Sequence, residues 1–179
     1  IEAALNGLGK PGMGCTATCA YIENDTLAIA HVGDSRAYLL HEGTLIRVTR
    51  DHSYVEELVD AGEITADEAR VHPNRSVITR ALGSDPAMYA DHFTLHIEEG
   101  DRLILCSDGL SSMIPDSDIE NIATQSSSAQ ICVDNLVDAA LAAGGHDNVT
   151  VVVVDLVDDG VMREAKRVRR RNVTIASVL

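Results

Sequence analysis

The sequence predicts a layered α+β fold whose sheets are mainly antiparallel. Three observations support this prediction: alternating apolar strand patterns open the chain, capped helical segments occupy its middle, and strands and helices are mixed in its second half. A chain of 179 residues, 45% of them hydrophobic, is large enough for one single-core domain. We assign residues 1–158 to this domain and residues 159–179 to a basic tail or linker.

The first elements form a meander of short strands after a helical remnant at Glu2–Leu8. The pair Asn24-Asp25 suits a tight hairpin turn, and Gly43 suits a second one. Strands connected by such short turns must run antiparallel. The predicted strands are Cys15–Glu23, Thr26–Val32, Ser35–His41 and Thr44–Val48.

Helical signals replace the strand pattern in the middle of the chain. Ser53 with Glu56, and Thr65 with Glu68, have the spacing of helix-capping boxes. Gly62 lies where a glycine ends a helix. We therefore predict two short helices here, each beginning after its capping hydroxyl.

The second half mixes both element types. After a predicted loop, alternation and continuous apolar runs indicate strands, and apolar residues at helical spacing indicate two helices. The loop is Asn74–Leu82, the strands are Tyr89–Ile97, Arg102–Cys106 and Asn148–Val157, and the helices are Asp116–Gln125 and Ser127–Ala143.

Charge is unevenly distributed along the chain. The segment Arg163–Arg171 holds six of the 14 basic residues and one of the 28 acidic ones, which leaves residues 1–162 with 8 basic against 27 acidic residues and a net charge of −19. Such a domain would repel nucleic acid and favour cations or basic segments, although acidic surfaces often only confer solubility. The four cysteines form no CxxC pair and are predicted to be reduced core thiols, which favours the cytoplasm.

Three aspartates stand at the borders of apolar strands. Asp108 follows the run Arg102–Cys106, Asp147 precedes the final strand after two glycines, and Asp34 occupies a turn between two strands. Taken alone, Asp34 also suits a turn aspartate that binds its own backbone. Three carboxylates placed in this way supply oxygen ligands of the kind that Mg²⁺ and Mn²⁺ prefer. Nucleophile-elbow, phosphate-loop and zinc-helix motifs are absent from the sequence.

Five spaced motifs carry a family resemblance. They occur in the order GMGCTATCAYI, AHVGDSRAYLL, RSVITRALG, DRLILCSDGL and GGHDNVTVVVVD. Together they resemble the metal-dependent type 2C protein Ser/Thr phosphatases, and most closely the bacterial members. The resemblance covers roughly Gly12 to Asp155.

The resemblance implies a four-layer αββα sandwich of two mainly antiparallel sheets flanked by helices. It also implies a centre of two or three Mn²⁺ or Mg²⁺ ions. Asp108 matches the family's SDG aspartate and Asp147 its GxDN aspartate, both metal ligands. Asp34 matches a ligand of a third ion in bacterial members, and Ser76 matches a weaker contact at that ion. The segment 51–75 matches a mobile flap, although two capped surface helices explain it equally well.

The implied activity is hydrolysis of phosphoserine and phosphothreonine in proteins by a metal-bridged water. The expected partners are phosphorylated proteins, including Ser/Thr kinases in bacterial signalling, and not nucleic acid. The expected location is the cytoplasm. The basic tail leaves open an anchor beyond Leu179 that would hold the protein at the cytoplasmic face of the membrane, with a solvated linker as the alternative.

One part of the family pattern is missing. An early acidic ligand, a phosphate-binding arginine and a D-G-x-G-G motif do not occur before Gly12, and the chain begins with Ile1. The expectation is therefore an N-terminally incomplete domain with little activity of its own, associating with a missing N-terminal piece or with another copy. A catalytically silent phosphatase-like domain that binds partners or regulates them is the alternative function.

Overall fold

The computed structural model describes residues 13–83, 85, 87–157 and the backbone of residues 174–178. The described residues divide into two compact units, one within residues 13–23, 27–35 and 49–95 and the other within residues 24–26, 36–48, 96–157 and 174–178. Each unit contains one antiparallel sheet and its own helices. The α+β class predicted from the strand and helix patterns is confirmed.

The first unit is built on a three-stranded sheet in the order β1-β2-β5. Its strands are β1 (Ala17–Glu23), β2 (Thr26–Val32) and β5 (Asp91–His96). Strand β2 is central because it pairs with both β1 and β5. Its alternating apolar residues bury Leu27 and Ile29 on one face. The two-residue turn at Asn24-Asp25 joins β1 to β2 as predicted, with Asn24 in the left-handed region at φ 54°.

Both predicted helices of the middle segment are present in the first unit. Helix α1 (Tyr54–Asp60) begins at Ser53, whose side chain accepts the N–H of Glu56. Helix α2 (Ala66–Val71) begins with a complete capping box between Thr65 and Glu68. Both capping signals therefore predicted the helix starts correctly. The loop that follows forms two isolated bridges, Ser53 with Ile78 and Cys15 with Leu82.

The second unit contains a five-stranded antiparallel sheet in the order β4-β3-β6-β7-β8. Its strands are β3 (Arg36–His41), β4 (Thr44–Arg47), β6 (Arg102–Cys106), β7 (Val149–Asp155) and β8 (Thr174–Val178). Its helices are α3 (Asp108–Ser111), α4 (Asp116–Gln125) and α5 (Ala129–Ala142). The central strand β6 is buried along most of its length, as its continuous apolar sequence predicts.

The core of the second unit lies between this sheet and its helices. Tyr38, Ile104 and Val151 from the sheet and Leu110 and Leu136 from the helices are fully buried in one cluster. These residues come from strands far apart in sequence, so the cluster fixes the sheet register and the end of β6 together.

Several details differ from the sequence analysis. Helix α3 is present although only a strand end was predicted there, because a single turn of helix has too few residues to show a period. Strand β8 lies inside the segment assigned to the tail, where it pairs with the edge of β7. The helical remnant Glu2–Leu8 and the basic run Arg163–Arg171 lie outside the described residues. The domain boundary at residue 158 stays a prediction.

The cysteine prediction is half right. Cys106 and Cys132 are buried, but Cys15 and Cys19 are exposed. Cys19 lies on β1, most of whose residues are exposed, and Cys15 precedes that strand. In the part of the chain that the structure describes, no helix has the length and apolar character that a membrane span requires.

Candidate functional site

Asp108 stands at the carboxyl end of strand β6. The strand ends at Cys106, Ser107 takes the N-cap position in extended geometry, and Asp108 is the first residue of α3. Its side chain is half-buried. The sequence analysis predicted that Asp108 lies where this strand ends, and the structure confirms that position.

Asp147 lies in the exposed turn that leads into strand β7. Gly144 and Gly145 have positive φ angles of 127° and 54°, so the chain turns there in a conformation that favours glycine. Asp147 then accepts the backbone N–H of Asn148 through its Oδ1 at 2.7 Å. This bond orients the carboxylate at the start of the buried strand.

Ser107 ties the two carboxylate-bearing segments together. Its Oγ donates to the carbonyl of Asn148 at 3.1 Å and accepts the N–H of Thr150 at 3.0 Å. Its backbone N–H donates to the carbonyl of Thr150 at 3.0 Å. Three hydrogen bonds from one residue therefore join the neighbour of Asp108 to the neighbours of Asp147.

Gly109 allows these segments to approach closely. A Cβ atom placed on Gly109 would lie 2.3 Å from the carbonyl oxygen of Asn148, which real Cβ atoms do not do. Glycine is therefore required directly after Asp108, because only a residue without a Cβ fits against the Asn148 carbonyl. The same carbonyl accepts the hydrogen bond from Ser107, directly before Asp108. The structure brings the segments that carry Asp108 and Asp147 together where the neighbouring strands β6 and β7 end and begin.

Asp34 lies in the first unit, in the bend that follows strand β2. The preceding Gly33 has φ 113°, and a Cβ there would lie 2.3 Å from the methyl group of Thr16. Asp34 itself is half-buried. Ser35, on the other side, shares a hydrogen bond with Thr16 between their hydroxyl groups at 3.2 Å.

Ser76 also lies in the first unit, exposed in the turn before residue 77. The next residues pair with the segment that begins at His52. Val77 accepts the N–H of Tyr54 at 2.9 Å, and Thr79 donates to the carbonyl of His52 at 2.8 Å. Because His52 also pairs with Gly33, the segments that carry Ser76 and Asp34 lie on either side of the His52 backbone.

A buried polar network, which the sequence analysis did not find, surrounds the Asp34 loop. His52 is 6% exposed, and its Nδ1 accepts the N–H of Gly33 at 3.0 Å. A backbone N–H can only donate, so the ring proton is on Nε2, which donates to Asp91 Oδ2 at 2.9 Å. Arg80 donates to the other Asp91 oxygen at 2.6 Å and lies over the ring of Tyr89.

The pKa values within this network are shifted by burial and by neighbours. Burial opposes ionisation of Asp91, but the hydrogen bonds from His52 and Arg80 hold the pKa of that carboxyl below its usual value. Burial lowers the pKa of His31, whose ring centroid lies 4.8 Å from that of His52. The network therefore contains an ionised Asp91 carboxylate and a neutral His31 imidazole.

His31 completes the network on the other side of the loop. Its Nε2 donates to the carbonyl of Arg50 at 3.0 Å, and its Nδ1 is 2.9 Å from the hydroxyl of Thr18. The same hydroxyl lies 3.1 Å from the carbonyl of Ser35, to which it can donate. Each histidine is isolated in sequence and Asp91 is 39 residues from His52, so no motif spacing could have indicated these contacts.

The residues at these positions fit a hard divalent cation in donor type. They offer carboxylate and hydroxyl oxygens, which Mg²⁺ and Mn²⁺ prefer. Among the described residues, however, no group of three or more His, Cys, Asp or Glu side chains lies close enough to hold a metal ion. The paired segments of Asp108 and Asp147 each present one carboxylate, and among the described residues these do not form such a group.

Comparisons with known proteins identify the family. The protein phosphatase 2C family profile matches residues 9–149. The chain is 40% identical over 144 residues to a serine/threonine phosphatase Stp of Listeria welshimeri, covering 80% of this chain and 57% of that protein. It is 45% identical over 150 residues to the serine/threonine protein phosphatase PstP of Mycobacterium tuberculosis, covering 82% of this chain and 28% of that one.

A solved relative gives the structural counterpart. The catalytic domain of the phosphatase PstP, in complex with two manganese ions, superposes with a TM-score of 0.78 at 38% identity and covers 88% of this chain and 66% of that one. This match confirms the predicted fold class and the predicted Mn²⁺ or Mg²⁺ dependence of the family. The chain spans 57% of the length of the Listeria relative. With most of its residues matched by the family profile, the chain belongs to the protein phosphatase 2C family.

Proposed function

We propose that the protein containing this chain is a metal-dependent phosphatase that hydrolyses phosphoserine and phosphothreonine in proteins. The single observation that carries the proposal is the joining of the Asp108 and Asp147 segments through Ser107 and Gly109. That arrangement holds two carboxylates where strands β6 and β7 end and begin, in a chain of the phosphatase family.

The proposed role of each residue rests on its match to a family motif, and its position is consistent with that role. Asp108 and Asp147 are the proposed ligands of the catalytic ions, while Asp34 and Ser76 are the proposed ligands of a further ion. Bound Mn²⁺ or Mg²⁺ would supply activation of water and neutralisation of the phosphate charge. Ser107 keeps Asp108 and Asp147 in register, and no protein nucleophile is needed.

The acidic character of the chain is consistent with this assignment. Residues 1–162 carry a net charge of −19, which would repel a phosphoprotein unless cations were bound. Bound divalent ions become the largest local charges and reverse that effect. We also propose, from the family resemblance, that the partners are phosphorylated proteins, including Ser/Thr kinases, in the cytoplasm or at the cytoplasmic face of a membrane.

The activity is tested on the longest natural polypeptide that contains these residues, with a phosphothreonine peptide and Mn²⁺. We expect phosphate release that EDTA abolishes and that Asp108→Asn lowers at least about 100-fold, equivalent to about 2.7 kcal/mol of barrier. Gln130→Ala, at an exposed position of helix α5, is the matched control and should keep full activity. Phosphate release that is unaffected by Asp108→Asn would contradict the proposal.

A second candidate is a catalytically silent phosphatase-like domain that binds or regulates partners. It is favoured by one observation: the described residues bring together no group of three possible metal-ligating side chains. This candidate predicts that the polypeptide binds the phosphopeptide equally well with and without Mn²⁺ and releases no phosphate. Isothermal titration beside the activity assay separates the two functions. Reduced activity of the 179-residue chain alone, and its association with another piece or copy, are further predictions.

A further inference from the structure

His52 holds the backbone of Gly33 at two points, one in each of the two peptide groups that flank its Cα. Its backbone N–H donates to the Gly33 carbonyl at 2.7 Å, and its ring Nδ1 accepts the Gly33 N–H at 3.0 Å. Gly33 is the residue immediately before Asp34 and has φ 113°. The backbone that begins the Asp34 bend is therefore fixed by two hydrogen bonds to a single residue.

The ring of His52 is itself fixed by a chain of contacts. Its Nε2–H donates to Asp91 Oδ2 at 2.9 Å, and Asp91 Oδ1 accepts from Arg80 at 2.6 Å. Arg80 is in turn placed by Tyr89, whose ring centroid is 4.3 Å from the guanidinium carbon. With both ring nitrogens engaged, the imidazole cannot rotate without losing the bond to Gly33.

The burial of His52 beside Asp91 has an energetic cost that packing alone would not require. His52 is 6% exposed, and burying a polar ring beside a carboxylate costs free energy that an apolar side chain would not. An apolar side chain would, however, leave the Gly33 N–H without the Nδ1 acceptor it has now. The buried pair of His52 and Asp91 therefore serves to hold the backbone of Gly33 and Asp34 in its observed conformation.

We propose that His52 is a positioning residue for the metal ligand Asp34, and that Asp91 keeps the His52 ring in the orientation this requires. The inference rests on the proposed function, because that proposal assigns Asp34 as a ligand. Both ring nitrogens of His52 and both carboxylate oxygens of Asp91 are already engaged in hydrogen bonds. Their effect on metal affinity is therefore indirect, through the position of Asp34. Removing a partner that orients a metal ligand typically weakens metal binding 10- to 100-fold.

Two substitutions separate the two ring nitrogens. An asparagine at this position places its amide oxygen near the Nδ1 position, so His52→Asn keeps an acceptor for Gly33 and loses the contact with Asp91. His52→Gln reaches toward the Nε2 position and does the reverse. His41→Gln is the matched control, since His41 forms another histidine–aspartate pair, with Asp101 at 2.7 Å, on strand β3.

The readout is Mn²⁺ binding to the purified protein, followed by electron paramagnetic resonance of the free ion. Asp34→Asn first identifies the class of bound Mn²⁺ that depends on Asp34. We expect His52→Gln to weaken that class at least about tenfold, His52→Asn to weaken it less than about threefold, and His41→Gln to leave it unchanged. The double variant Asp34→Asn with His52→Gln should bind no more weakly than Asp34→Asn alone.

The outcomes distinguish the two proposals. If Asp34→Asn removes no class of Mn²⁺, the assignment of Asp34 as a ligand fails, and the role of His52 fails with it. If Asp34→Asn removes a class that His52→Gln and His52→Asn both leave at its original affinity, the positioning role alone is overturned. Equal weakening by His52→Gln, His52→Asn and His41→Gln would also overturn it, because the effect would then be non-specific.

A measurement on the unsubstituted protein covers the case in which the His52 variants do not fold. Nitrogen-15 NMR of the histidine rings, during a titration with Mg²⁺, should show His52 protonated on Nε2 throughout. Its Nδ1 resonance should shift with the same Mg²⁺ dependence as the Gly33 amide, and this shift should be lost in Asp34→Asn. A His52 ring protonated on Nδ1, or one that does not respond to Mg²⁺, would overturn the proposal.

Discussion

Gly109 lies against the carbonyl of Asn148 so closely that a Cβ atom on it would be 2.3 Å from that oxygen. The same two segments carry Asp108 and Asp147, one residue before each partner of this contact. A backbone contact therefore sets the separation of the two candidate metal ligands. This relationship is the structural basis of the proposed site.

Replacing Gly109 tests this contact. Gly109→Ala should destabilise the fold by about 1–3 kcal/mol, the usual cost of forcing an extra carbon into a packed position. Urea denaturation measures the change. Gly14→Ala is the matched control, because a Cβ at Gly14 would lie 3.2 Å from its nearest atom, the carbonyl oxygen of Leu82, and neither glycine has a positive φ. An equal loss in the two variants would mean that the Asn148 contact has no special weight.

Ser107→Ala removes the hydroxyl that joins the carboxylate-bearing segments. We expect it to lower the free energy of unfolding by about 1–3 kcal/mol, because the Thr150 N–H loses the Ser107 hydroxyl as an acceptor. Ser107→Thr keeps a hydroxyl and should recover at least half of the loss. Chemical denaturation of both variants measures this. A Ser107→Ala protein as stable as the wild type would show that the strand pairing of β6 with β7 holds these segments without the side chain.

Arg102 should be irreplaceable by lysine. Its Nε donates to Asp155 at 2.6 Å, and its guanidinium also donates to the carbonyls of Ala123 and Ser126 at the end of helix α4. Lysine keeps the charge but cannot form this planar set of contacts, so Arg102→Lys should cost about 2–4 kcal/mol of stability. Thermal unfolding measures the loss. A change below about 0.5 kcal/mol would contradict the role of these contacts.

The pair His41–Asp101 predicts a pH dependence of stability. The hydrogen bond from His41 to Asp101, together with the charge of that carboxylate, raises the pKa of His41 above its usual value of about 6.5. A raised pKa means that the folded state holds the proton more tightly. The contribution is therefore fully present below about pH 6.5 and is lost as the pH rises through the higher folded-state value.

The measurement compares the wild type with His41→Gln by urea denaturation at pH 5.5 and pH 8.5. The stability difference between the two proteins should be larger at pH 5.5. Using the difference cancels the other titrating groups, which both proteins share. A stability difference that is the same at both pH values, or larger at pH 8.5, would contradict the prediction.

Sequence reasoning was most successful where the cause of a structure is local. The capping box of Thr65 with Glu68 and the turn at Asn24-Asp25 involve neighbours in sequence, so their residue types predicted the structure directly. The placement of Asp108 at a strand end followed in the same way, from the boundary between an apolar run and a glycine.

The rest depended on contacts between distant residues. The pairing of His52 with Asp91 joins residues 39 positions apart, and neither has a local pattern that marks it. Strand β8 pairs because β7 presents an open edge, which the composition of residues 174–178 does not show. The exposure of Cys19 depends on which face of β1 is covered, and strand alternation alone cannot decide that.

The most direct test of the account is Mn²⁺ binding by the protein, with Asp108→Asn, Asp147→Asn and the control Gln130→Ala compared with the wild type. Electron paramagnetic resonance counts the free ion during the titration, so it needs no substrate and no turnover. We predict that each aspartate substitution weakens Mn²⁺ binding at least about tenfold, while Gln130→Ala leaves it unchanged. Equal Mn²⁺ affinity in all four proteins would contradict the assignment of Asp108 and Asp147 as the metal ligands of this phosphatase domain.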